Sequence, residues 1–447
     1  MTSESSRRQP PERFIDKVKY LGPGLIISGA IVGSGELIAT TALGAQVGFV
    51  ALWMIIFSCL IKVVVQEEWG RYTISSGDTP FRALNKVPRR LGPVSWVIWC
   101  WAIVFIGITM LSGGIVGGTA QVLYLAFPQL SVNLWVLIIA GFTAAALVFR
   151  GKIEFIQTAA TVMVLGFTVA TLACAIMLQW TPYAMHFAEV VAGLKLELPA
   201  HGLQVAFGAF GLTGLSAGEL VMYPYWCLEK GYARFVGQRE DSAAWTARAQ
   251  GWLRVLKLDV VLAMILYTAV TVAFYFLGAA ILHKQGLVPN NNDMVRILSQ
   301  IYTTTFGPGA FAMFLAGAFA VLYSTFFVHV ATFPRLLIDL FESFNILQIG
   351  NNKQKRTKWL RIFTLGLVSI YVLWYWLLAV PVTMVVIGGA LQAALLPILA
   401  ASTLYWRYKH LDPRIAPSRA ITLLLWIATI LMAAFAIYTI ITSLQKL

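Results

Sequence analysis

A chain of 447 residues with 59% hydrophobic and only 12% charged residues cannot be an ordinary soluble protein, in which the charged share is about 25%. Its formal charge of +14 invites a nucleic-acid reading, but the basic residues gather on alternate inter-helix segments, the pattern that orients a multi-pass membrane protein. Cys59, Cys100, Cys174 and Cys227 lie in or beside apolar stretches without CxxC spacing, which argues for buried thiols and against a disulfide or zinc framework.

Residues 1–19 are polar and basic (Arg7, Arg8, Arg13, Lys17, Lys19) and read as a cytoplasmic tail, disordered at its start. The first apolar run, 21–49, is too long for a signal segment and is expected to be retained as helix 1. Gly33-Ser34-Gly35-Glu36 interrupts it. Helix 2 follows over 50–70 and ends in Gln66-Glu67-Glu68. A loop with Arg82, Lys86, Arg89 and Arg90 leads to helix 3 (94–127), helix 4 (133–149) and helix 5 (153–178). After a polar connection, helix 6 (202–228) is interrupted at Ser216-Ala217-Gly218-Glu219-Leu220. The most basic loop (Lys230, Arg234, Arg239, Arg248, Arg254, Lys257) precedes helix 7 (260–282), and a loop at 289–293 precedes helix 8 (309–340). Helix 9 (363–378), helix 10 from Pro381 and helix 11 (421–444) complete about eleven spans of about 20 residues.

The expected fold is therefore an all-α polytopic membrane protein. The tail (1–19) precedes a core at 20–405, with helices 1–5 at 20–178 and helices 6–10 at 202–405. A cytoplasmic loop and helix 11 occupy 406–447. Of 33 Lys and Arg, only Lys195, Lys284, Arg296 and Lys446 fall outside when the N-terminus is placed in the cytoplasm. This orientation puts the C-terminus on the extracytoplasmic side of the cell (inner) membrane. Two five-helix halves have opposite orientation, so the repeat is inverted and broken helices 1 and 6 correspond.

Both interruptions read small-small-Gly-Glu-Leu or close to it. Each glycine inside a helix costs about 1 kcal/mol relative to Ala, and a carboxylate at bilayer depth costs several times that. For one Gly-Ser-Gly alone, close helix packing is the simpler explanation; recurrence in matching contexts points to a site. The expected centre comprises Gly33, Ser34, Glu36, Ser216, Gly218 and Glu219, with free carbonyls at the breaks and no Lys, Arg or His nearby in sequence to balance the acids. Two uncompensated carboxylates brought close would share a proton, which an entering cation would displace. Glu36 and Glu219 are the expected metal ligands, and an all-oxygen set suits a hard ion of the Mg²⁺ or Mn²⁺ kind. Tyr223, with Tyr225 and Trp226, could form either a cation–π wall or a packed face. Gln392, in Gly388-Gly389-Ala390-Leu391-Gln392, could reach the centre from helix 10. Ser324, Thr325 and His329 are weaker candidates, more simply structural.

Further stretches resemble the NRAMP family of divalent metal transporters over nearly the whole chain. They are Leu21-Gly22-Pro23-Gly24, residues 42–49 and 71–77, Gly151-Lys152-Ile153-Glu154, residues 273–280, and Leu396-Pro397. The resemblance implies a LeuT-type 5+5 inverted repeat and proton-linked uptake of a divalent metal. The signature residues depart from the family. Its Asp-Pro-Gly-Asn falls on Gly33, Ser34, Gly35 and Glu36, and its Met-Pro-His on Gly218, Glu219 and Leu220. Loss of the thioether is what a move towards harder ions needs. Residues 29–35 also resemble helix 1 of the amino-acid transporters of the APC superfamily, which implies an alternative: an amino acid or organic amine such as a polyamine at the same site. No nucleophile–base or metal cluster supports an enzyme, and no cofactor is expected; the divalent cation enters as substrate. The expected partners are a small cation and membrane lipid, not nucleic acid, with the monomer as the working unit.

Overall fold

Prolines and capping side chains start the apolar helices. Pro23 and Pro381 occupy first-turn positions, where a missing N–H costs nothing. Ser131 and Ser242 accept hydrogen bonds from Leu134 N and Trp245 N at 3.3 and 3.1 Å. The computed structural model describes residues 7–444 except 34, 200, 292, 308 and 351.

The long helices are, in chain order, α1a (Pro23–Ile31), a π-helical turn (Gly35–Thr40) and α1b (Thr41–Val47), then α2 (Leu52–Ser76), α3 (Trp96–Ala126), α4 (Val132–Arg150) and α5 (Ile153–Met177). The second half repeats the plan with α6a (Leu203–Leu212), α6b (Ala217–Lys230), α7 (Ala243–Leu277), α8 (Ala310–Ser343), α9 (Lys353–Leu378) and α10 (Pro381–Lys409), followed by α11 (Arg419–Leu444). Among the described residues, nine helices are long and apolar enough to cross a membrane, ten when the bent halves of α1 count as one span. The expected count of about eleven differs by α2. That helix has 25 residues but carries Lys62, Glu67 and Glu68.

Several boundaries depart from the sequence reading. Helix 7 begins at Ala243, not 260, and helix 9 at Lys353, not 363. Lys, Arg and Gln are good helix formers, so each helix continues past its apolar part into the basic segment. Met294–Phe306, unassigned from sequence, forms an amphipathic helix whose buried face includes Val295, Leu298, Ile301 and Tyr302. In the tail, Arg8 N donates to Phe235 O at 3.1 Å and Trp252 Nε1 donates to Arg8 O at 2.9 Å, so the segment from Arg7 is docked, while residues 1–6 lie outside the described part.

Small residues bring the central helices together. A Cβ on Gly389 would meet Gly208 O at 2.7 Å, and one on Gly388 would meet Leu111 Cβ at 2.6 Å. α10 therefore lies against both α6a and α3 at backbone distance, the close approach that glycine permits in a membrane. This contact sets Gln392 level with the break in α6.

Candidate functional site

The two breaks are built alike. In α1 the chain leaves helical geometry at Val32 and resumes in the π-helical turn, where Thr40 Oγ1 donates to Gly35 O and Thr41 Oγ1 to Glu36 O, both at 3.1 Å. In α6 the break runs through residues 213–216, with Thr213 extended (ψ 136°) and Gly214 in the left-handed region (φ +63°). Each glutamate folds back onto a backbone amide three residues earlier. Gly33 N donates to Glu36 Oε2 at 3.2 Å, and Ser216 N donates to Glu219 Oε2 at 3.0 Å. Ser216 Oγ accepts in return from Gly218 N at 3.2 Å, completing the reciprocal cap of the new helix start, and lies against Glu219 Oε2. Both carboxylates are buried, Glu36 completely.

Neighbouring helices approach the remaining oxygens. Thr271 Oγ1 of α7 donates to Glu36 Oε1 at 3.1 Å. His329 Nε2 of α8 lies 3.7 Å from Glu219 Oε1, and His329 Nδ1 is 2.9 Å from Ser112 Oγ of α3. Gln392 reaches the same place from α10. Its Oε1 accepts from Ser216 Oγ at 2.5 Å and from Gly218 N at 2.9 Å. Gly33 takes part through its lack of a side chain, since a Cβ there would overlap Thr325 Oγ1.

Two expectations are corrected here. The half-helix carbonyls are not free: Thr325 Oγ1 donates to Ala30 O at 3.0 Å at the end of α1a, while Ser58 and Lys62 of α2 cover the end of α6a. The acids are also not uncompensated. Lys62 and His329 approach them from α2 and α8, as the fold brings together groups far apart in sequence. Lys62 was legible as a lone cation at 62 in the apolar run 52–65, and an intramembrane ionisable residue is a functional candidate by default.

The other candidates fall in different places. Tyr223 OH donates to Asp259 Oδ2 at 3.1 Å, in a cluster at the N-terminus of α1a and away from the breaks. Asp259 there also accepts from Gly22 N at 3.0 Å and Gly24 N at 2.7 Å. Ser324 Oγ donates within its own helix to Val321 O. Ser34 lies outside the described residues. Among the described residues no group of three His, Cys, Asp or Glu converges as a metal cluster. The arrangement offers two carboxylates, one amide oxygen and several hydroxyls.

The family profile described as natural resistance-associated macrophage protein-like matches residues 24–442. The chain belongs to the Nramp family. The divalent metal cation transporter MntH of Bacillus subtilis is 25% identical over 332 residues, covering 69% of this chain and 72% of that protein. MntH of Deinococcus radiodurans is 23% identical over 378 residues, covering 77% and 82%. The crystal structure of an Eremococcus coleocola manganese transporter superposes with a TM-score of 0.74 at 16% identity, over 97% of this chain and 89% of that one. The fold of this Nramp-family chain is thus the LeuT-type one, with α1 and α6 as the interrupted helices.

Proposed function

We propose that this chain is a secondary active transporter that carries a divalent metal ion across the membrane by alternating access. The ion is held between Glu36 and Glu219 at the breaks of α1 and α6. The observation that carries this reading is the pair of buried carboxylates, one at each break, in a chain whose relatives are named divalent metal cation transporters.

The donors are hard. The carboxylates, Gln392 Oε1 and the hydroxyls of Thr271 and Ser216 are all oxygens, and Met222 lies three residues beyond Glu219. A hard ion held through one or two carboxylates keeps part of its hydration shell, which suits Mg²⁺ or Mn²⁺ better than softer ions. Burial of both acids means that the helices must move to admit the ion. An ion arriving at the Glu219–His329 contact displaces any proton held there, which would link metal and proton movements. The basic segments support a cell (inner) membrane orientation with the N-terminus cytoplasmic and the C-terminus outside.

The test is uptake of radioactive Mn²⁺ into proteoliposomes, with Mg²⁺, Ca²⁺, a polyamine and amino acids as competitors. Glu36→Gln and Glu219→Gln each reduce uptake to the background of empty vesicles while the purified proteins melt cooperatively. Uptake at the wild-type rate by either variant refutes the paired-carboxylate site. Uptake of an amine or amino acid without metal would replace the metal reading.

A further inference from the structure

One buried cation near the centre directs its hydrogen bonds to neutral oxygens. Lys62 stands midway along α2 with its side chain wholly excluded from solvent. A lysine at bilayer depth is costly even on the mildest insertion scales, so it persists only where its ammonium is paired. Its partners are backbone oxygens. Lys62 Nζ donates to Thr213 O at 2.9 Å and to Phe210 O, and it lies 4.8 Å from the centre of the Phe210 ring.

One turn earlier on the same face of α2, Ser58 Oγ donates to the same two carbonyls, at 3.0 Å to Phe210 O and 3.1 Å to Thr213 O. It accepts in turn from Thr213 Oγ1 at 2.9 Å. The ammonium thus sits at the negative end of the α6a dipole, against two carbonyls that the Ser58 hydroxyl also bonds. Glu36, Glu219 and Cys59 face it electrostatically, but its hydrogen bonds run to neutral oxygens. Carbonyls at the end of a discontinuous membrane helix are ligands that a monovalent cation uses in place of water.

We propose that Lys62 is a tethered cation. Its ammonium fills, from within the chain, a monovalent-cation site made by Phe210 O and Thr213 O, the two carbonyls that the Ser58 hydroxyl also bonds. The chain therefore carries its own counter-ion at the α6 break and needs no co-bound Na⁺ or K⁺ there. The transported ion is left the carboxylate side of the centre, because the carbonyls of α6a are taken. This assignment stands on the geometry of α2 and α6a and does not depend on which substrate is carried.

Removing the side chain should expose the site to a free cation, which a purely structural cap would not do. The full chain, purified in detergent, is melted in choline chloride and in ammonium, potassium or sodium chloride at equal ionic strength. Wild type melts at the same temperature in all four. Lys62→Ala melts lower in choline, and ammonium or potassium at millimolar concentration restores most of the loss with a saturable dependence. Lys62→Arg, which keeps a cation but not the compact ammonium, shows no such response. A Lys62→Ala protein equally unstable in every salt overturns the proposal, as does one as stable as wild type in choline. If it cannot be prepared in choline, it is purified in ammonium chloride and then exchanged; failure in both salts also overturns the proposal.

Discussion

Gly33 and Ser216 hold equivalent places in the two breaks, each presenting its backbone amide to a glutamate three residues later. The spacing is that of a helix start, so Glu36 and Glu219 both re-form a helix and place a carboxylate at the centre. This recurrence was legible in the sequence because both partners of each bond lie in one short stretch. Lys62 and His329 were not assigned their roles because their partners, Thr213 O and Glu219, are supplied by other helices. At Gly33 the lack of a side chain is used directly. Gly33→Ala would drive a Cβ into Thr325 Oγ1 and should destabilise the protein by about 1–3 kcal/mol, the usual range for overpacking. Combining it with Thr325→Ala should recover part of that loss, a coupling that a double-mutant cycle on melting temperature reads directly. Strict additivity would show that the two groups do not collide.

At the scale of elements, the N-terminus of α1a is pinned from α7 and α5. Asp259 accepts from Gly22 N and Gly24 N, while Gln157 Nε2 donates to Leu21 O at 3.2 Å and is itself bonded by Lys230. A carboxylate on the exposed amides of a helix start is favoured by both hydrogen bonding and the dipole. Charge-assisted bonds of this kind are worth about 1.5–3 kcal/mol, so Asp259→Asn should speed amide exchange at Gly22 and Gly24 by about ten- to a hundredfold. Hydrogen exchange resolved to those peptides checks this; unchanged protection would show that Asp259 is not the latch. The element pattern was largely readable, since long apolar runs and their interruptions fix which segments are helices. Their ends were not, because α7 and α9 continue as helices through basic residues that hydropathy assigns to loops.

Across the whole molecule, charged residues outside the spans tie distant segments together. Arg414 donates to Asp412, to Glu240 O and to Asp241, Arg239 pairs with Asp412 at 2.8 Å, and Arg7 pairs with Glu240. The tail, the α6–α7 segment and the α10–α11 segment are thereby joined, a connection that composition alone could not show. Hydrogen bonding from Arg414, with the charge of Arg239 beside it, holds the Asp412 carboxyl down to about 2 from an ordinary value of 3.8. A carboxyl held low in the folded state stabilises the fold above its ordinary value and loses that contribution as pH falls through its folded one. Asp412→Asn should therefore melt below wild type at pH 7, and the gap should close between about pH 4 and pH 2. A gap independent of pH across that window would assign the effect to something other than the charge.

The proposed position of the divalent ion is between Glu36 and Glu219. Calorimetric titration of Mn²⁺ into the purified protein, with Glu36→Gln and Glu219→Gln in parallel, tests that placement without the uncertainties of a flux assay. The predicted result is saturable binding at one site per chain by the wild type and its loss in both variants. Binding of undiminished affinity in either variant, or heat only from an amine or amino acid, would contradict it.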